Sequence, residues 1–183
     1  MQKNLMLLWI MLIIYAALHL IFFSMSSIHI VDLMFMNEDP MIFMMFNFLG
    51  IFPFAFLLFT IKYQVVLKTK HKIGLGLGFV SGAFSLYPTL TYLSYNNKAK
   101  KTNLTTYGSV VSMIMVVVLL FYGLFFGSFS NYFYHFLNDS LVQIMTIDFI
   151  FLYILSIHLM HKKTKKWYFT FIPLVGFLFN IYE

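Results

Sequence analysis

The chain has 183 residues, of which 61% are hydrophobic, 21% aromatic and only 10% charged. A soluble domain carries about 25% charged residues and about 45–50% apolar ones, so this chain lacks the polar surface to cover a globule in water. That excludes a water-soluble enzyme, a nucleic-acid reader and a disordered tail. It leaves an all-α integral membrane protein, one helical bundle over residues 1–183 held in the lipid bilayer.

Twelve lysines oppose six acids, and there is no arginine. The lysines cluster between apolar runs, which points to topology and headgroup contact rather than to nucleic acid. The absence of cysteine removes disulfides, thiol nucleophiles and thiolate metal sites. A chain rich in Lys, Asn, Ile and Phe suggests, by association, an AT-rich bacterial genome and a place in the plasma membrane.

Six apolar segments follow one another: 5–23, 41–61, 73–93, 107–126, 141–160 and 168–182. At 1.5 Å per residue the first five are about 28–32 Å long, enough for a hydrocarbon core of about 30 Å. The sixth reaches only about 22 Å. None alternates as a barrel strand would, so all six are expected to be helices. The first is too long for the apolar core of a signal peptide and reads as a spanning helix.

Segment 41–61 is preceded by Asp39 and Pro40, a capping residue and a first-turn proline. Pro53 inside it, and Pro88 inside the third segment, are expected to kink their helices and to free a carbonyl one turn back. The third segment also holds Gly74, Gly76, Gly78 and Gly82. Two readings of it stand. As a plain crossing it divides the lysines five against seven between the two sides, with no clear orientation. If it enters and returns, all the lysines fall on one side and the acidic loops on the other.

Gly74, Gly78 and Gly82 form small-xxx-small steps, and Gly123 and Gly127 form another in the fourth segment. The third and fourth segments are therefore expected to pair tightly, or to form a homodimer seam.

Asp148 is the one acid well inside an apolar run. A carboxylate near mid-bilayer costs about 2.5–3.5 kcal/mol on insertion scales, so it needs a partner or a function. Asn47, Asn180 and His19 are the strongest polar candidates to meet it, with Tyr87, Tyr15 and Tyr122 as further donors. Ser156 borders its face, about 80° round the helix. Asp148, Asn47, Tyr87, Ser156 and Asn180 together form the expected ligand-binding set. His158 and His161 lack a third metal ligand, and the methionines around Met41 and Met44 read as gap-filling apolar residues. No nucleotide-binding, metalloprotease or nucleophile-elbow motif is present. No catalytic residue, cofactor, metal or nucleic acid is expected.

Three stretches carry a resemblance. Phe46-Asn47-Phe48-Leu49-Gly50-Ile51-Phe52-Pro53 resembles an FNxLGxxP signature. Gly82-Ala83-Phe84-Ser85-Leu86-Tyr87-Pro88 resembles a GAFxLxPY signature, with Thr89 in place of its tyrosine. Met145-Thr146-Ile147-Asp148-Phe149 resembles an MSxDF signature. The family that they resemble comprises small multi-pass membrane proteins of cyanobacteria, plastids and some other bacteria, with no established biochemical activity. The resemblance implies that Asn47, Gly50, Pro53, Gly82, Pro88 and Asp148 form one site, and it implies no reaction.

The expected function is binding or transport of a small or lipid-like molecule near Asp148 and Asn47. One alternative is a non-catalytic accessory or immunity-type protein docking on a membrane partner. Another is the substrate-binding subunit of an importer.

Overall fold

The computed structural model describes residues 2–22, 28, 30–63, 65, 67–93 and 99–183. Phe23, the expected end of the first helix, and Lys98 lie outside them. Every element among the described residues is helical: α1 Gln2–Phe22, α2 Ile30–Met34, α3 Pro40–Lys62, α4 Thr69–Ser81, α5 Ala83–Thr91, α6 Asn103–Phe126, α7 Phe129–Asn138, α8 Ser140–His161, a 3-10 turn Trp167–Phe171, and α9 Val175–Tyr182. Three of these, α3, α6 and α8, are long and apolar enough to cross a membrane. A shorter apolar helix, Asn4–His19, lies within α1. Large side chains such as Val118, Phe121 and Phe125 on α6 stay exposed, an outward apolar surface consistent with lipid around the bundle.

The third and sixth apolar segments are not single crossing helices, which corrects the six-span expectation. Segment 73–93 is broken at Gly82, where φ is +54°, into α4 and α5. The two legs fold back on each other: a Cβ on Gly74 would run into Thr89, and one on Gly78 into Leu86. At about 20 Å and 14 Å neither leg spans a 30 Å core. The last segment turns in the same way. Pro173 withholds a helical donor, Leu174 takes φ +59°, and α9 returns beside the 3-10 turn. Its two ends meet in the Lys166–Glu183 ion pair.

The two hairpins settle where the charges lie. The Lys100 N–H donates to the Lys62 carbonyl at 2.7 Å, and Lys163 sits over the Tyr63 ring. The lysine-bearing segments around 62–72, 99–101 and 162–166 therefore share one end of the bundle. At the opposite end Asp39 accepts from the Ser128 N–H and from Asn131, while Asp139 accepts from the Ile28 N–H.

Those contacts are reciprocal, and they expose a repeat. Asp39 caps α3 through the Met41 N–H, and Asp139, one hundred positions later, caps α8 through Leu141 and Val142. Each aspartate also holds the backbone just before the other half's short helix, at Ser128 and at Ile28, again one hundred positions apart. Each half runs as a long helix, a short helix, an Asp-capped long helix, a lysine segment and a hairpin with a positive-φ apex. Seven of the eight buried positions of α8 have a buried counterpart in α3 at this offset. The halves are thus two turns of one design, interlocked through their caps.

The expected pairing of the third and fourth segments is not made. Small residues of α6 serve α3 instead: a Cβ on Gly108 would press on Leu58, on Gly123 on Met44, and on Gly127 on the backbone of Met41. The spacing of the glycines is right for close packing, but spacing does not name the partner.

Candidate functional site

Asp148 lies in the ninth residue of α8, about 12 Å from that helix's start. The α4–α5 hairpin enters from the lysine end, and the reach of α4 brings its apex to the same depth. There the Ala83 N–H donates to Asp148 Oδ1 at 2.8 Å. The carboxylate so caps α5, satisfying a donor that Gly82 cannot serve with a side chain. A backbone amide, and not one of the expected side chains, is therefore its hydrogen-bond partner. Gly82 is required twice, once for its φ and once because a Cβ would collide with the carboxylate.

Around this contact is a cavity of about 270 Å³. Asn47 and Gly50 line it from α3, Gly78, Ser81 and Gly82 from the hairpin, and Asp148 and Met145 from α8. Its remaining walls are apolar, with Phe46, Phe79 and Phe84 among them. A Cβ on Gly50 would meet nothing within 4 Å, so that glycine leaves open space. Val80 at the rim is 89% exposed, and Ile30 and Phe79 are exposed too. The cavity thus opens sideways through the bundle's apolar surface. Asp148 is the one ionisable group among its lining residues.

Of the ligand-binding residues read from the sequence, Asp148 and Asn47 meet here. Asn47 also donates to the Phe43 carbonyl of its own helix. Tyr87, Ser156 and Asn180 do not line the cavity. Tyr87 is fully buried and donates to the Phe151 carbonyl at 2.8 Å. Ser156 bonds back to the Tyr153 carbonyl. Asn180 lies in the second hairpin, where its amide donates to Thr170 Oγ1 and the Gly176 carbonyl. Tyr87 and Ser156 thus serve backbone carbonyls, and Asn180 serves a carbonyl and the Thr170 hydroxyl.

The prolines act as their chemistry requires. Pro88 leaves the Phe84 carbonyl without its helical donor, and Trp9 of α1 supplies one through Nε1 at 2.8 Å. Pro53 does the same to the Leu49 carbonyl, and Leu49 lines the cavity. Trp9 was not legible as a site residue. The signal was Pro88, which marks a carbonyl in need of a donor without saying which helix provides it.

Lys62, one residue beyond the expected segment 41–61, is not a loop lysine. It ends α3, is 5% exposed, and donates to the Asn180 carbonyl at 2.8 Å. Nearby, burial and the neighbouring Lys162 ammonium pull the Lys163 amine below the usual lysine range. No family model, curated protein or solved structure matches this chain.

Proposed function

We propose that this is a multi-pass protein of a bacterial plasma membrane that binds, and moves, a small molecule held at the apex of the α4–α5 hairpin. The observation that carries the reading is the cavity at Asp148 and Asn47, open sideways where lipid would lie. Ligand sites in bundles combine apolar walls with a few convergent polar groups, and intramembrane ionisable residues mark such sites. Two broken segments entering from one side, with sites at the junction of repeated halves, are features of transporters. Four of the residues that the family resemblance groups together, Asn47, Gly50, Gly82 and Asp148, line this one cavity. Pro53 and Pro88, which the resemblance also places in that site, are not among its lining residues.

Orientation follows from the lysines. With all the described lysine loops at one end, the positive-inside rule places that end in the cytoplasm and the Asp39–Asp139 end outside. Both hairpins are then re-entrant from the cytoplasm. Reporter fusions at Lys70 and Lys100 are expected to give the same cytoplasmic signal. Signals from opposite sides would overturn the re-entrant topology.

The ligand itself is open to direct test. Native mass spectrometry of the gently solubilised chain is expected to show a retained small molecule. Gly50→Leu, whose Cβ enters open space, is expected to lose it. A wild-type chain that never carries a bound species, or a Gly50→Leu chain that carries it unchanged, defeats the reading. The docking alternative, in which the glycine faces matter more than Asp148, needs those faces free. Gly74 and Gly78 are covered within the hairpin, and Gly123 and Gly127 by α3.

A further inference from the structure

The lining of the cavity is chemically one-sided. A single carboxylate is its only ionisable group, and no basic side chain is among the described residues that form it. Three phenylalanines, Phe46, Phe79 and Phe84, stand in its walls. Aromatic rings attract organic cations, most strongly away from water. At about 270 Å³ the space lies just below the range of drug-sized ligand pockets, about 300 to 1,000 Å³. It suits a compact molecule and not a whole phospholipid.

The repeat supplies an internal control for the carboxylate. The second hairpin also reverses at a positive-φ residue, Leu174 at φ +59°, with ψ −56° where Gly82 has −128°. In α3 the position equivalent to Asp148 is Phe48, buried to the same degree. The N–H groups that follow the second turn, of Val175 and Gly176, bond to the Pro173 and Ile172 carbonyls and not to an acid. A buried carboxylate is costly in lipid and such groups mark functional sites, so Asp148 is the residue to test for a use beyond holding the turn.

We propose that the cavity takes a compact amphipathic organic cation, an apolar body bearing an amine or quaternary ammonium. This rests on the ligand-binding reading above and names its substrate class. Asp148 supplies the counter-charge, the phenylalanines receive the alkylated nitrogen, and the open rim at Val80 admits the ligand from the bilayer.

The test uses the full chain in neutral phosphatidylcholine nanodiscs with three probes of similar shape. These are benzyltrimethylammonium, its uncharged carbon isostere neopentylbenzene, and benzenesulfonate. Saturable thermal stabilisation is the readout. The cation is expected to bind at least tenfold more tightly than the other two. Asp148→Asn is expected to lose at least tenfold of that affinity, Asp148→Glu to recover part of it, and Gly50→Leu to bind nothing. If Asp148→Asn does not fold, the wild-type preference among probes and the Gly50→Leu result decide. Equal binding of cation and isostere, abolished by Gly50→Leu, overturns the cationic class and leaves the cavity reading standing. Tighter binding of benzenesulfonate overturns the class as well. No saturable binding of any probe overturns the class, while the molecule retained in native mass spectrometry judges the cavity reading separately.

Discussion

Gly82→Ala is expected to destabilise the folded chain by about 2–6 kcal/mol, the sum of backbone strain and overpacking. The strain arises because φ is +54° at this apex, a region that L side chains rarely adopt. The overpacking arises because the new methyl would fall on the Asp148 carboxylate, itself fixed by the Ala83 N–H. Thermal unfolding in detergent measures the loss. Combining Gly82→Ala with Asp148→Ala removes the collision but leaves the strain and strips the Ala83 N–H of its acceptor, so it should return at most part of the stability. Gly76→Ala in the same segment is the opposite case. Its Cβ meets nothing within 4 Å and it lies inside α4, so alanine should stabilise by about 0.5–1 kcal/mol. If both variants melt with the wild type, the chain does not reverse at Gly82.

Gly176→Ala is expected to open the second hairpin at a cost of about 3 kcal/mol or more. Here φ is not the reason. The added Cβ would strike the Phe169 carbonyl, which is backbone and has no rotamer to swing away. Moving α9 off the 3-10 turn also breaks the Asn180–Thr170 hydrogen bond and draws the Asn180 carbonyl from Lys62. A bond to a charged group contributes about 1.5–3 kcal/mol, because its loss strands a buried ammonium. The absence of cysteine in the chain offers a clean readout. Ser109 on α6 is wholly buried, and α6 packs against α9. A Ser109→Cys thiol should resist a thiol reagent in the parent chain and react once Gly176→Ala is added. Continued protection, with an unchanged melting temperature, would contradict the described packing of this hairpin.

The two glycines illustrate how much of the site was readable. Gly82 and Asp148 both stood out in the sequence, one as a helix interrupter and the other as a charge without water. That they touch was not readable, since 65 residues separate Ala83 from Asp148. Tyr87, Ser156 and Asn180 were equally conspicuous as polar residues in apolar runs. The fold spends them on backbone carbonyls and on Thr170 instead. Polarity in an apolar helix signals that a partner is needed, and it is silent on whether that partner is a ligand or the chain itself. The repeat escaped detection because the halves share a pattern of caps, lengths and burial more than they share residues. Asp39 and Asp139, Met45 and Met145, and Lys62 and Lys162 are among the few identities at that offset.

The sequence by itself determined the apolar character of the chain and its long helices. Its 10% of charged residues excluded a water-covered surface, and unbroken apolar runs led to α3, α6 and α8 within a few residues of their ends. Asp39 and Pro40 marked the start of α3 for local reasons, because capping is a contact between neighbours along the chain. Only the tertiary structure decided that the third and sixth segments reverse, that α6 packs on α3, and that Asp148 closes the first hairpin. Glycine and proline permit a crossing helix, a kink or a turn alike, and hydrophobicity is the same on every apolar face. Which of these the chain adopts is settled by contacts between residues far apart in sequence: Asp148 against Ala83, Trp9 against Phe84, and Asp39 and Asp139 each against the other half.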